Sequence, residues 1–156
     1  GWSVTLYLRP RDYHRIHAPF TGRVRKLRRL PGSLLPVQPH MVRQHPGLYC
    51  DNERLVLELD TGSGRLVLVC VAATGVGTIT TAFSDPTAGT EDGAAVVDVP
   101  VTRGGEVAVF NVGSTVILFA EAGGLAPEPL LVGQEVRMGQ LLGKWQSPRL
   151  AAERSS

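Results

Sequence analysis

The apolar runs in this sequence are short, and glycine, proline or aspartate brackets most of them. That punctuation limits the fold more than any other feature. Proline removes a backbone donor, glycine weakens the interior of helices and strands, and both are at home in turns. With Gly 18 and Pro 11 in 156 residues, many short strands are favoured over a helical bundle. Between the turn signals, Val, Leu and Ile recur in β-prone, partly alternating patterns that suit strands. The predicted strands are 2–8, 22–30, 54–60, 65–72, 77–83, 95–99, 106–112 and 115–121. Residues 1–156 read as a single domain, long enough to bury a core of its own.

The expected fold is mainly β, a compact β-sandwich or flattened barrel of the barrel-sandwich kind. One short helix is expected near residues 10–17. Pro10 suits a first helical turn, Asp12 complements the helix dipole there, and Pro19 ends the segment near Ala18. Residues 84–93 read as an exposed loop, and the polar tail from Ser147 as frayed. Ala18-Pro-Phe-Thr-Gly-Arg-Val24 and Leu131-Val-Gly-Gln-Glu-Val-Arg-Met-Gly-Gln-Leu-Leu-Gly143 resemble in style the hairpins of lipoyl and biotinyl carrier domains. The carriers present a modified lysine at a hairpin tip. Lys26 and Lys144 lack that context, so the echo is architectural.

Several classes are disfavoured. A net charge of +2 creates no strong field for nucleic acid. Two cysteines, Cys50 and Cys70, make no disulfide framework and read as free thiols in a reducing compartment. No run approaches the ~20 apolar residues of a membrane span; the longest, 66–76, is broken by glycine. Residues 1–20 carry arginines, prolines and histidines where a secretory leader is apolar, so no signal peptide is expected. Charge is concentrated at Arg23, Arg25, Lys26, Arg28 and Arg29. This stretch suits either anionic lipid headgroups or a solvated strand edge, and the two readings stay open.

Two short segments look chemical. Tyr7-Leu-Arg-Pro-Arg-Asp-Tyr-His-Arg-Ile-His-Ala-Pro19 sets His14 and His17 three apart. A helix would put both imidazoles on one face, whereas a strand would oppose them. An acid–base pair, a His-x-x-His metal site and ordinary structural histidines all fit that spacing, although no Cys, Asp or Glu cluster completes a metal site. In Val109-Phe-Asn-Val-Gly-Ser-Thr-Val-Ile-Leu-Phe119, Gly113-Ser114-Thr115 interrupts an apolar strand pattern. Glycine there marks a bulge, a close backbone approach or a plain turn.

Taken together and in order, the segments are more specific. The histidine block resembles the signature of bacterial-type phosphatidylserine decarboxylases. Gly113-Ser114-Thr115 resembles their Leu-Gly-Ser-Thr cleavage site. Between them, Asn52-Glu-Arg-Leu-Val-Leu-Glu-Leu-Asp-Thr61 is similar to the family's Asn-Glu-Arg strand. Val71-Ala-Ala-Thr-Gly-Val-Gly-Thr-Ile79 is similar to its Val-Gly-Ala-x-x-Val-Gly-Ser-Ile run. The likeness extends from about Leu6 to Trp145.

The resemblance implies self-cleavage between Gly113 and Ser114 and conversion of Ser114 to a covalent pyruvoyl group, with no metal. The resulting β chain is 1–113 and the α chain 114–156. His17 matches the base that activates Ser114, and His14 the neighbouring histidine, placed for substrate handling or proton transfer. The implied reaction is decarboxylation of phosphatidylserine to phosphatidylethanolamine and carbon dioxide, peripherally, at the cytoplasmic face of the cell membrane. The implied partners are the lipid and the anionic membrane surface; a homodimer is left open. The family's aspartate for self-cleavage belongs to a Pro-Ala-Asp-Gly-type motif upstream of the histidine block, and Asp12 is not its equivalent. These residues alone are therefore expected to mature slowly or not at all. Val112 stands where Leu or Phe is usual, and Leu35-Pro-Val-Gln-Pro39 replaces a more typical Phe-Ser-Val-Asn-Pro at the expected substrate rim. The alternatives are a degenerate, unprocessed family member and a barrel-sandwich binding module without catalysis.

Overall fold

The computed structural model describes residues 1–75, 79–88, 93–111 and 113–146. Alternation has its expected effect in β4 (Arg54–Asp60). Leu55, Leu57 and Leu59 are buried on one face, while Val56 and Glu58 turn the other way. The same period governs β5 (Arg65–Val71), where Leu66, Leu68 and Cys70 are buried, and β9 (Ser114–Ala120), where Val116, Leu118 and Ala120 are. Each buried leucine contributes roughly 1.5–3 kcal/mol relative to exposure.

These strands join β1 (Trp2–Leu8), β3 (Gly22–Leu30) and β7 (Ala94–Val101) in a six-stranded antiparallel sheet of order β1-β9-β5-β4-β3-β7. Pro100 is tolerated because β7 is an edge. A second sheet has the order β2-β8-β6, from β2 (Arg15–His17), β8 (Glu106–Val109) and β6 (Thr80–Thr81). Ile16, Val107 and Ala108 of this sheet share one core with Leu27, Leu57 and Leu68 of the large one. A hairpin of β10 (Leu125–Pro127) and β11 (Gly143–Trp145) completes the described strands. The architecture is mainly β, as expected, with no closed barrel among the described residues.

Several expectations are corrected. Residues 10–17 form no helix. The Asp12 carboxylate accepts from the Arg9 backbone N–H at 2.8 Å, and the Asp12 N–H returns to the Arg9 carbonyl at 2.8 Å, closing a tight turn. Beyond it, Arg15–His17 pairs with β8 and buries Ile16. An eight-residue helix is marginal alone, and the ladder with β8 wins. The solvated-edge reading of the basic stretch also fails, because β3 lies between β4 and β7. Two short helices, α1 (Pro39–Gln44) and α2 (Leu48–Asp51), lie in a region for which no helix was expected. The strand expected at 77–83 is described only as Thr80–Thr81, and 106–112 ends at Val109; residues 76–78 and 112 lie outside the described residues, as do 89–92 of the expected loop and the tail from Ser147.

Candidate active site

The pairing scheme decides what meets at the start of β9. Strand β1 pairs with β9, and β2 pairs with β8. The β1–β2 connection, residues 9–14, therefore lies beside Phe110 and Gly113. The Phe110 N–H donates to the His14 carbonyl at 3.0 Å, and Leu8 faces Ser114 across the ladder. Gly113 packs against this turn: a Cβ there would lie 3.3 Å from Pro10 Cγ and 3.4 Å from the Leu8 carbonyl oxygen. The approach is too close for a side chain without adjustment, so glycine suits the position.

Ser114 is also where β9 loses one neighbour. Its ladder with β5 ends at the Thr115–Val71 pair, whereas its ladder with β1 continues to Ser114. Ser114 and Thr115 are completely buried. Among the described residues, neither hydroxyl has a hydrogen-bond partner of good geometry. A buried hydroxyl without a partner costs stability, so the sheet holds the Ser114 oxygen in an unfavourable setting. Thr115 lies near Tyr49 of α2. Burial raises the Tyr49 phenol above its ordinary range, and the Thr115 hydroxyl opposes part of that rise.

The two histidines differ. His17 Nδ1 is 2.7 Å from the Gly104 carbonyl, which only accepts, so Nδ1 carries a proton. In the neutral ring, Nε2 then accepts from the Tyr13 hydroxyl at 2.7 Å, and the two rings stack with centroids 5.6 Å apart. Both nitrogens of His17 are occupied. His14 Nδ1 lies 2.5 Å from the Asp12 carbonyl and is a donor by the same logic. Its Nε2 is buried without a partner among the described residues, which leaves an open acceptor. Neither ring holds the Ser114 hydroxyl in this state. The turn itself is fixed by Arg9, which pairs with Asp12 at 3.0 Å, keeps that carboxyl below the usual carboxylate range, and reaches Glu135 at 2.7 Å.

A cavity of about 50 Å³ opens beside Gly113. Tyr7, Pro10 and Gly113 line it together with Pro36, Val37, Gln38, Ala73 and Thr74. The structure thus brings Gly113, Ser114 and the His14 turn to one corner, and sets His17 one strand further on, against Gly104. Sequence reasoning passed over Tyr13, Tyr49 and Gly104, whose roles depend on contacts across the fold. Asp12 carried a local signal, since Asp two residues after proline suits a turn.

The chain matches the family model described as "Phosphatidylserine decarboxylase" over residues 1–144. It is 44% identical over 152 residues to the phosphatidylserine decarboxylase proenzyme of Anaeromyxobacter sp. (strain K), covering 92% of this chain and 54% of the relative. It is 42% identical over 149 residues to that of Halorhodospira halophila, with 92% and 51% covered. For Myxococcus xanthus the values are 41% over 148 residues, 92% and 53%. The chain spans about half the length of the curated relatives it matches.

Proposed function

Because the chain belongs to the phosphatidylserine decarboxylase family, we propose that it carries the self-processing and catalytic corner of a pyruvoyl-dependent enzyme making phosphatidylethanolamine and carbon dioxide from phosphatidylserine. The observation that carries this is the Ser114 hydroxyl, buried and without a partner, directly after a glycine that borders a cavity. The orphaned oxygen suits a residue destined for chemistry at its own backbone.

In the proposed maturation, Ser114 Oγ attacks the Gly113 carbonyl carbon. The C–N bond breaks, the hydroxyl proton ends on the freed nitrogen, and an ester links the two halves. Loss of the α-proton of residue 114 expels the Gly113 carboxylate. The dehydroalanine left on the downstream chain takes up water and releases ammonia, leaving the pyruvoyl group. A serine hydroxyl attacks only when a base removes its proton. The family signature gives that role to His17, and the Tyr13 hydroxyl must first release Nε2. His14 Nε2 is the unspent acceptor nearest in sequence, suited to holding a proton during turnover. The chemistry a pyruvoyl group would supply at residue 114 is an electron sink for the pair left as carbon dioxide departs. A lipid substrate suits peripheral work at a membrane surface, and the family resemblance implies its cytoplasmic face.

Ser114→Ala in the intact protein tests this. The wild type is expected to give two fragments meeting at Gly113/Ser114 by mass spectrometry and to convert phosphatidylserine; the variant does neither. Equal turnover by the variant, or a wild type that stays one chain, overturns the proposal. The second outcome would describe an unprocessed family member, with the Tyr13 hydroxyl still held on His17 Nε2.

A further inference from the structure

Two segments outside the main ladders line the cavity beside Gly113, and one buried side chain joins them. Asn52 is completely buried. Its Oδ1 accepts from the Leu35 N–H at 3.0 Å; its Nδ2 donates to the Leu35 carbonyl at 2.8 Å and to the Ala72 carbonyl at 2.9 Å. Both amide hydrogens are spent on carbonyls and the oxygen on an N–H, so one orientation of the amide is enforced. Leu35 immediately precedes Pro36, and Ala72 immediately precedes Ala73, both of which line the cavity.

The surrounding contacts make this a clamp. Ser33 N–H donates to the Asp51 carbonyl at 2.8 Å, and Glu53 N–H to the Ser33 carbonyl at 2.9 Å. Ala72 N–H reaches the Glu53 carbonyl at 2.8 Å. Gly32 passes so near that an added Cβ would sit 2.3 Å from the Asp51 carbonyl oxygen. The Thr74 hydroxyl adds a second tie, donating to the Leu34 carbonyl at 2.5 Å. The segment from Leu34 to Gln38 therefore takes its position from Asn52 and Thr74 rather than from a strand partner.

We propose that Asn52 is a positioning residue: its amide fixes the gap between Leu34–Gln38 and Ala72–Thr74, and through it the fit of the serine headgroup of the substrate beside residue 114. The proposal rests on the decarboxylase reading above. Asn52→Asp keeps the side chain's shape but turns an oxygen toward two carbonyl oxygens. In the intact protein, assayed with phosphatidylserine in mixed micelles and normalised to the cleaved chain, this variant should raise KM about ten-fold while kcat stays within about three-fold. A purely structural role would lower the yield of cleaved protein and leave KM alone. Normal KM in a folded, cleaved Asn52→Asp variant overturns the proposal while leaving the family chemistry standing. A wild type without decarboxylation sinks the functional reading and the headgroup claim together. Should Asn52→Asp not fold, Thr74→Val removes the tie to Leu34, replacing the hydroxyl by a methyl of similar size at the cavity lining, and should raise KM about three-fold at constant kcat; an unchanged KM there is equally fatal.

Discussion

On the first half of β3, Arg23, Arg25 and Lys26 stand in solvent opposite carboxylates: Asp98 for both arginines, with Asp60 3.6 Å from Arg25 and Glu58 3.6 Å from Lys26. On the second half, Arg29 is only 8% exposed. It donates to the Ile79 carbonyl at 3.0 Å and to Asp85 at 2.9 Å, with Glu53 3.5 Å away. A bulge separates the halves. The register shifts between Val24 and Lys26 on both neighbouring strands: Arg25 is the extra residue against β4, whereas β7 sets two residues, Val97 and Asp98, opposite it. The shift changes the parity of the strand. Val24 is buried before it and Leu27 after it, and Arg29 shares the inward face of Leu27. One inserted residue thus separates cations that screen a surface from a cation that anchors the segment around Ile79.

The largest expected effect breaks the inner half. Arg29→Ala leaves Asp85 buried without its cation and should lower stability by about 3–5 kcal/mol, read from urea unfolding. A loss below about 1 kcal/mol would place Arg29 with the surface pairs and dissolve the contrast.

Acid should sharpen the same point. Burial opposes the Asp85 charge, but hydrogen bonds from Thr87 and Arg29 outweigh it and hold the carboxyl below its ordinary value. A folded-state value below the unfolded one stabilises the fold fully above about pH 4 and loses that contribution as pH falls through the folded value. Wild-type stability should therefore decline below pH 4 more steeply than that of Asp85→Asn. Parallel curves would show that Asp85 titrates alike in both states.

These contrasts also explain what could be read in advance. The strands over 22–30 and 54–60 were legible at their observed bounds, because apolar and polar residues change over within a few positions. The bulge was not, since it depends on what β4 and β7 present to β3. Residues 10–17 misled for a similar reason: the partner that makes 15–17 a strand, β8, lies about ninety residues away. Strands β10 and β11 have three residues each, too few for alternation to register, and α1 and α2 are too short for a helical period. At the candidate site, Gly113, Ser114, His14 and His17 stood out as motif residues. The occupied nitrogens of His17, the open Nε2 of His14 and the clamp at Asn52 depend on Gly104, Tyr13, Leu35 and Ala72, which only the folded chain brings near.

The smallest effect belongs to the outer half of β3. Arg23 donates to the Asp98 carboxylate and, at 3.1 Å, to the Asp98 carbonyl, and the pairing holds the Asp98 carboxyl below its ordinary range. Both side chains are largely in water, at 41% and 58% exposure, where ion pairs are screened and ordering long side chains costs entropy. Arg23→Ala should therefore barely move the urea unfolding midpoint, and any difference should shrink in about 1 M salt, where the screening length is about 3 Å. A larger, salt-insensitive loss would mean that the pair braces the β3–β7 ladder, and the two halves of the strand would then differ in degree and not in kind.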